Sequence, residues 1–360
     1  MIQKGIPFHY FRGGTSKGPY FLRTDLPTDR EKLTSVLISV IGAGDNLNID
    51  GIGGGNTVST KVAILSQSTQ DDVDIDYLFA QVSVDKRQVD YGPTCGNILV
   101  GVGPAAIELG LVPIAGDHTT IRICAVNTGA IVESVVETQG GYVNYQGSAV
   151  VDGVPGSAAP IRLRFLNVVG SKTGKMFPTG NKIDLIAGVE VSCIDVAMPM
   201  MIARAKDFGI TGYESRSELN ESRELFNQLE SIRLLAGKMM GLGDCQDQVI
   251  PKIGLLSPAR GNGHFSARYF MPWTTHPTLA VTGSQCLAAC ALSPGTVAEG
   301  LVKSLTKNCN ELIIEHIQGS IKLLVDYEIS HGELNFESAG LVRTARLIAK
   351  GQVFVPGELF

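Results

Sequence analysis

One segment constrains the fold of this chain more than any other: residues 96–109, which read GNILVGVGPAAIEL and are apolar almost all round. A helix that is apolar on every face must be buried on every face. Strand-like segments precede and follow it, and a second small-residue segment, GSQCLAACAL at 283–292, lies among strand-like segments in the same way. The pattern predicts two similar halves, each made of β-strands around one buried helix.

The length of the chain agrees with two domains. It has 360 residues, and single hydrophobic cores stop growing near about 250–300 residues. A stretch rich in Gly, Ser, Lys and Thr at 170–181 marks the boundary. We predict an N-terminal lobe, 1–181, with a central helix at 96–109, and a C-terminal lobe, 182–360, with a central helix at 284–292. The alternative for the chain end is that the last strand returns to the N-terminal lobe.

The starts of the two central helices carry the first functional expectation. A helix N-terminus has free N–H groups and roughly half a positive charge, so it binds anions. If both starts face one cleft, Gly96 and Asn97 in one lobe and Gly283 and Ser284 in the other would hold two carboxylates of one small substrate. The predicted ligand is therefore a small di- or tricarboxylate.

Charge and cysteine content argue against several classes of protein. The net charge is −5 with both signs interspersed, so nucleic acid is not an expected partner. The first residues lack the apolar core of a signal peptide, and apolar runs break well before the roughly 20 residues that span a membrane. Seven cysteines without CxxC spacing predict no disulfide framework and a cytoplasmic location.

The glycine-rich segments do not match cofactor motifs. Gly42-Ala43-Gly44 follows a predicted helix that begins with a Thr28/Glu31 capping box and ends at Gly42, whereas a dinucleotide fingerprint needs a strand before the glycines and a helix after them. The segment 53–56 lacks the Gly-Lys-Ser/Thr of a P-loop, and no two histidines have metal-ligand spacing. We predict neither a metal nor an organic cofactor.

Two residues are candidates for chemistry. Cys95 stands at the start of the first central helix, where the N-terminus and nearby cations make a thiol more acidic. A buried structural cysteine is the equally common alternative, and the Cys-Gly-Asn context favours the reactive one. Lys61 opens an apolar strand after Ser59 and Thr60; its position alone is typical of a solvated lysine, and the glycine-rich sequence upstream favours a ligand nearby.

Other polar residues have two interpretations each. The first turn could bind a carboxylate or simply close a hairpin, and a lone histidine is more often structural than catalytic. The candidates of this kind are Arg12, Thr15, Ser16, Lys17, Thr179, Gly180, Asn181 and His276.

Taken together, the motifs resemble those of the PrpF-like family over essentially the whole chain. They are RGGTSKG at 12–18, DGIGGGN at 50–56, STK at 59–61, CGN at 95–97, DGVPG at 152–156, MFPTGN at 176–181, MGLGD at 240–244 and VRTAR at 342–346. The resemblance implies the α+β, diaminopimelate-epimerase-like fold, with two lobes of β-sheet around central helices and the active site between them. It also implies that Cys95 and Lys61 are the working pair. We predict substrate contacts from the turn at 15–17, from Ser59 and Thr60, and from the helix starts.

Sequence differences from relatives of this fold narrow the range of expected reactions. Racemases use one thiol at each helix start, but the second helix begins Thr282-Gly283-Ser284 and Cys286 lies about a turn further in. This favours an allylic isomerase over a two-thiol racemase. The segment at 316–319 is His-Ile-Gln-Gly where relatives tend to have His-Pro-Ser-Gly, which leaves the role of that turn open.

Within the family, the compact length and the DGIGGGN, DGVPG and MGLGD segments look closest to the oxalomesaconate branch. We predict a cofactor-independent 4-oxalomesaconate isomerase or tautomerase of aromatic-acid catabolism, acting as a cytoplasmic protein and with a homodimer as one expected assembly. The alternatives are a 2-methylaconitate or related tricarboxylate isomerase and, in another class, a non-catalytic carboxylate-binding accessory protein.

Overall fold

The computed structural model describes residues 2–303 and 310–360. Cys309, one of the cysteines predicted to be free, lies outside the described residues. The strands in chain order are β1 (Gln3–Gly13), β2 (Ser16–Leu22), β3 (Lys61–Gln67), β4 (Ile75–Val82), β5 (Val89–Asp90), β6 (His118–Ala125), β7 (Ala130–Glu137), β8 (Ile161–Leu166), β9 (Asp184–Ile186), β10 (Val189–Val196), β11 (Met198–Arg204), β12 (Lys252–Pro258), β13 (Phe265–Met271), β14 (Thr274–Thr275), β15 (Glu311–His316), β16 (Gly319–Ser330), β17 (Glu333–Arg343) and β18 (Ala345–Pro356).

Far fewer residues are helical. The helices are α1 (Arg30–Ile41), α2 (Gly96–Val100), α3 (Val102–Glu108), α4 (Arg216–Glu221), α5 (Arg223–Met239) and α6 (Val281–Leu292), with short 3-10 turns at Arg23–Asp25, Ala205–Phe208 and Gly357–Leu359. This combination of mixed sheets and few helices confirms the predicted α+β class. Within the described part of the chain, no helix is both long enough and apolar enough to cross a membrane.

The chain divides into two compact units, Met1–Phe165 with Val342–Phe360, and Leu166–Leu341. The last strand, β18, belongs to the first unit, where it pairs antiparallel with β1. The sequence placed the boundary after residue 181, whereas along the chain the first unit ends at Phe165 and the second begins at Leu166. The reason is that the polar stretch from residue 170 is no linker: the carboxylate of Asp195 in β10 accepts hydrogen bonds from the Ser171 hydroxyl and the Lys172 N–H at 2.6 and 2.8 Å.

In the first unit, the sheet has the strand order β18-β1-β2-β3-β4-β6-β7, with β5 added beside β4. Side chains alternate between the two faces of each strand. One face packs against α1, where Val62, Ile64, Ala80 and Val82 share a core with the buried residues of that helix. We call this the outer face of the first unit.

The opposite face of the same sheet, its inner face, packs against α2 and α3. The buried Tyr20 hydroxyl donates to the Ile98 carbonyl at 2.5 Å. Glycines permit the close approach: a Cβ on Gly101 would collide with Tyr20, and one on Gly103 would collide with Ser134. These contacts explain why the segment is rich in glycine and alanine and apolar on nearly every side.

The central helix of the first unit differs from its prediction. Instead of one helix at 96–109, α2 ends at Val100 and α3 begins at Val102, with Gly101 between them. Pro104 supplies the physical reason, because proline has no N–H to donate to the carbonyl four residues earlier and fits in the first turn of a new helix.

The start of α1 also differs in detail. The predicted cap at Thr28 is wrong by one residue, since the Asp29 carboxylate accepts from the N–H groups of Glu31 and Lys32 at 3.1 and 2.9 Å. The predicted end is confirmed: Gly42 has a φ of 77°, the left-handed conformation that glycine adopts most easily.

The second unit repeats the design. Its sheet has the order β9-β10-β11-β12-β13-β15-β16-β17, with β14 beside β13. Strands β1-β2-β3-β4-β6-β7 and β10-β11-β12-β13-β15-β16 show the same alternation of antiparallel and parallel neighbours. This match in topology confirms the predicted pseudo-repeat, which no sequence identity reveals.

Each face of the second sheet also packs against helices, as in the first unit. The amphipathic helix α5 packs on the outer face, which includes Val191, Met201 and Phe270. Helix α6 packs on the inner face, where Gly283 lies against Tyr269 and Leu287 lies against Gly254. Each unit is therefore a sheet between one outer amphipathic helix and one inner small-residue helix or helix pair.

Candidate active site

Cys95 occupies the N-cap position of α2. Its backbone is extended, with φ −127° and ψ 109°, and its half-buried thiol makes no cap hydrogen bond within the described chain. The hydroxyl of Tyr77 in β4 donates to the Cys95 carbonyl at 3.5 Å. Burial holds the pKa of Tyr77 well above its ordinary value, so this hydroxyl stays a hydrogen-bond donor. The thiol is thus available for chemistry, while the backbone around it is fixed.

The turn between β1 and β2 packs directly on the start of α2. Gly13 and Gly14 lie so close to Asn97 that a Cβ on either would collide with it. Asn97 Nδ2 donates to Thr15 Oγ1 at 3.0 Å, and the Thr15 N–H donates to Asn97 Oδ1 at 3.4 Å. The structure therefore brings together two of the predicted substrate-contact segments, the first turn and the helix start.

Arg12 stabilises this turn through hydrogen bonds to two backbone carbonyls. Its Nη1 donates to the carbonyls of Gly14 and Thr344 at 2.9 and 2.7 Å, which fixes the turn to the residues just before β18. Burial, with Arg346 nearby, lowers the pKa of Arg12. Of the two interpretations of Arg12, these contacts favour the one in which it closes the hairpin.

Ser16 and Lys17 point in different directions. Lys17 is exposed, and its backbone N–H donates to the Val58 carbonyl at 2.9 Å. Ser16 is only 3% exposed, and its hydroxyl finds no hydrogen-bond partner in residues 2–303 or 310–360. It alternates with Gly18 and Tyr20, so it shares the inner face with α2. A buried hydroxyl without a partner is costly, which makes Ser16 suited to contact a bound ligand.

Lys61 begins β3 and pairs directly across from Gln81 of β4. Its Nζ donates to Gln81 Oε1 at 2.6 Å and lies 5.3 Å from the centroid of the Phe79 ring. The orientation of the Gln81 amide is well determined, because Nε2 donates to the carbonyls of Thr57 and Thr60, both at 3.3 Å. Both contacts of Nζ, with an acceptor oxygen and with a π face, suit the positively charged ammonium.

One row of side chains connects the two candidates. Tyr77, Phe79 and Gln81 alternate along β4 and so point to the same, inner face of the sheet. Tyr77 contacts Cys95, whereas Phe79 and Gln81 contact Lys61. The thiol-bearing helix start and the ammonium therefore lie against the same face of the sheet.

The hydroxyl groups of Ser59 and Thr60 both donate hydrogen bonds to backbone carbonyls. Ser59 Oγ donates to the Asn56 carbonyl at 3.0 Å, and Thr60 Oγ1 donates to the Val82 carbonyl at 2.7 Å. Both residues are buried. We infer that they shape the chain before Lys61 rather than donate to a substrate.

The predicted contacts at 179–181 form a turn around a buried carboxylate. Thr179 Oγ1 and Asn181 Nδ2 each donate to Asp184 at 2.7 Å. Gly180 between them has a φ of 84°, which the turn requires. In this structure these side chains are engaged within the second unit.

His276 lies near the start of α6. Its ring contacts Tyr269 edge-on, with centroids 5.6 Å apart, and its Nδ1 accepts from the Thr278 N–H at 3.0 Å. Burial lowers the pKa of His276, a hydrogen bond with the Thr278 backbone opposes this shift, and Arg216 and Lys252 lower the pKa further. Nδ1 is used as an acceptor within the turn before α6.

The second helix start lies earlier than predicted. Helix α6 begins at Val281, after Ala280 as N-cap, and not at Gly283. The N–H of Ser284 already donates to the Ala280 carbonyl at 2.8 Å, and its hydroxyl donates to the Val281 carbonyl at 2.8 Å. The first helical N–H groups have no partner inside the helix, and here they belong to Val281, Thr282 and Gly283, whereas the sequence placed them at Gly283 and Ser284.

Three further residues near Cys95, Lys61 and the first turn are identified by the structure. Tyr77 and Gln81 carry no motif, and only the strand register brings them to Cys95 and Lys61. Arg343 lies in the VRTAR motif, which does not by itself indicate a role for this residue. Burial lowers its pKa, an effect that Asp152 opposes, and the adjacent Gly153 packs near Thr15. Arg343 is thus a further cation near the first turn.

Among the described residues, no group of three or more His, Cys, Asp or Glu side chains could hold a metal ion. The six described cysteines are free thiols.

Comparison with known proteins gives consistent matches along the whole chain. A family model described as PrpF protein matches residues 3–356. YbhH of Escherichia coli (strain K12) is 46% identical over 353 residues, covering 98% of this chain and 100% of YbhH. The 4-oxalomesaconate tautomerase of Pseudomonas putida is 44% identical over 355 residues, covering 99% and 97%. A crystal structure of methylitaconate-delta-isomerase has a TM-score of 0.88 and 32% identity, covering 99% of this chain and 97% of that one.

Proposed function

This chain is an isomerase of the PrpF family, and we propose that it moves a proton along 4-oxalomesaconate, an unsaturated tricarboxylate, with Cys95 and Lys61 as the reacting groups. The observation that carries the proposal is the placement of both groups against the inner face of one sheet, through Tyr77 on one side and Phe79 and Gln81 on the other. The name of the Pseudomonas putida relative supports the choice of substrate.

The chemistry requires one base and one acid. A proton α or γ to a conjugated carbonyl is already acidic, so its removal gives a dienolate that nearby positive charge stabilises. Because the contacts of Lys61 suit the ammonium, we assign the base to the Cys95 thiolate. The thiolate takes the proton from one carbon, and the ammonium stabilises the dienolate and protonates the far carbon. A proton then passes from the Cys95 thiol to the Lys61 amine, directly or through water, and restores both groups.

The substrate carboxylates need donors on the same inner face. The Ser16 hydroxyl is buried without a partner in the described chain, and the N–H groups of Gly96 and Asn97 are at the start of α2. We assign one carboxylate to this group. That the starts of α2 and α6 face a common cleft, as the sequence predicted, stays a prediction.

The placement of Lys61 leads to a prediction for Gln81. Gln81→Leu removes the acceptor that fixes the ammonium, and we expect kcat to fall about 10- to 100-fold, since a hydrogen bond to a charged group is worth about 1.5–3 kcal/mol. The measurement is steady-state kinetics with thermal melts. Gln67→Leu is the matched control: it lies on the exposed end of β3, its Nε2 donates to Leu111 at 3.2 Å, and it should leave kcat within a few-fold. Equal effects of the two variants would contradict a role for Gln81 in placing Lys61.

Proton NMR in D₂O tests the activity and substrate directly. EDTA-treated enzyme is mixed in turn with 4-oxalomesaconate, 2-methylaconitate, 3-methylitaconate and mesaconate. We expect deuterium incorporation and isomer formation with 4-oxalomesaconate at an unchanged rate after chelation, because conjugation alone acidifies the carbon. Faster conversion of 2-methylaconitate would select the alternative substrate. Binding of carboxylates with no exchange would support the accessory-protein interpretation, and a rate that metal restores would contradict the cofactor-independent mechanism.

Three expectations from the sequence, on location, partners and assembly, stay proposals. Free thiols at the described cysteines support a reducing, cytoplasmic location. The absence of a nucleic-acid partner rests on the net charge of −5 without a basic block. The homodimer is one possible assembly, and size-exclusion chromatography with light scattering would test it.

A further inference from the structure

Lys252 is the counterpart of Lys61 in the second unit. Lys61 begins β3, which follows α1, and Lys252 begins β12, which follows α4 and α5. In the first unit β3 pairs parallel with β2, the strand before α1, and in the second unit β12 pairs parallel with β11, the strand before α4. Two residues further on, Ala63 pairs with Phe79 and Gly254 pairs with Tyr269. In both units of the pseudo-repeat, the residue two positions after the lysine therefore pairs with an aromatic residue.

The side chain of Lys252 points to the inner face. Ile253 and Leu255 belong to the outer core around α5, so Lys252 and Gly254, which alternate with them, face α6. Gly254 lies against Leu287 of that helix, and Tyr269, opposite Gly254, lies against Gly283. Lys252 is therefore on the side of the sheet where α6 begins.

The ammonium of Lys252 lacks a counter-ion. The residue is only 9% exposed, and no hydrogen bond or ion pair of its Nζ exists among the residues that the structure describes. Among the described residues, the charged group that acts on Lys252 is Arg233, and the charged groups that act on the nearby His276 are Arg216 and Lys252 itself; all of these are cations. Arg233 is bonded to Glu230, at 2.7 Å. Burial and Arg233 together lower the pKa of Lys252. Keeping an unpaired cation buried is costly.

We propose that Lys252, with the free N–H groups of Val281, Thr282 and Gly283 at the start of α6, binds a carboxylate group of a small polycarboxylate. The helix start and the buried lysine are independent features that favour the same ligand charge. Only the identification of this ligand as part of the substrate rests on the proposed function; the anion site itself does not.

The test measures binding, not turnover, so it does not depend on the isomerase activity. The probes are tricarballylate and glutarate, which share a saturated five-carbon chain and differ by the central carboxylate. By isothermal titration calorimetry, we expect Lys252→Met to weaken tricarballylate binding about 10- to 100-fold, as for loss of a charge-assisted hydrogen bond, and Lys252→Arg to restore part of it. Lys206→Met, an exposed lysine of the same unit, is the control and should change affinity less than about twofold.

A thermal melt separates binding from a structural role. Because the variant removes an unpaired buried charge and keeps an apolar side chain of similar length, Lys252→Met should melt at or above the wild-type temperature. Lower stability with unchanged affinity, or an equal loss of affinity in Lys206→Met, would overturn the proposal.

The two probes distinguish which carboxylate Lys252 binds. A comparable loss of glutarate and tricarballylate affinity supports a site for a terminal carboxylate, and a selective loss of tricarballylate affinity supports a site for the central one. If wild-type enzyme binds tricarballylate through Lys252 but does not turn over 4-oxalomesaconate, the proposed substrate fails while this inference stands.

Discussion

Cys95→Ser is expected to lower kcat/KM by about 10²- to 10⁴-fold, the usual contribution of a general acid–base group. Serine keeps the size and hydrogen bonding of the side chain but is a far weaker acid than a thiol. Cys95 is the N-cap of α2, and serine is a preferred residue at that position, so the start of the helix should be retained or strengthened. The measurement is kcat/KM on 4-oxalomesaconate together with a thermal melt, and the melting temperature should not fall.

The matched control is Cys286→Ser, in the central helix of the other unit. Cys286 is fully buried, and its Sγ lies 3.4 Å from the Ile194 carbonyl, to which a serine hydroxyl can also donate. Burial holds the pKa of Cys286 well above its ordinary value, which favours the protonated thiol, and a protonated thiol cannot act as a base. We expect its rate to stay within a few-fold of wild type. Near-wild-type turnover by Cys95→Ser would remove the thiol from the mechanism, and an inactive Cys286→Ser would bring back the two-thiol racemase.

The elements that could be predicted are those determined by local pattern. The amphipathic helix α1 follows from helical periodicity, the small-residue helices follow from being apolar on nearly every face, and the end of α1 follows from Gly42, which suits a left-handed cap. The start of α1 could not be chosen by pattern, because Thr28 and Asp29 are adjacent and both cap helices well. The break at Gly101 was foreseeable from Pro104, yet the continuous apolar pattern concealed it.

The partners of the catalytic candidates could not be predicted, since they depend on strand register. Sequence order alone places Lys61 after Ser59 and Thr60 and says nothing of Gln81, which lies opposite only because β3 and β4 pair in one register. A shift of one residue would turn Gln81 to the outer face. Lys252 was missed for a related reason: its similarity to Lys61 is one of position in a repeated topology, and the flanking residues are not similar.

Lys61→Met is expected to lower kcat/KM by about 10²- to 10⁴-fold with little change in the melting temperature. Methionine can keep apolar contact with Phe79, but it can neither stabilise the dienolate nor donate a proton. Lys4→Met is the control, because Lys4 is likewise a strand lysine of the first unit whose Nζ lies over an aromatic ring, at 3.5 Å from the centroid of Phe360. Its rate should stay within a few-fold of wild type, and an equal loss in both variants would assign the effect to general charge.

Lys61→Arg then separates the two tasks assigned to the ammonium. A guanidinium keeps the positive charge against Phe79 and can donate to Gln81, but it does not give up a proton under ordinary conditions. If Lys61 protonates the far carbon, Lys61→Arg should be as impaired as Lys61→Met in isomer formation, while exchange of the substrate proton with D₂O, which needs only the thiolate and a stabilised dienolate, should recover in part. Recovery of both rates together would show that charge alone is required and that another group delivers the proton.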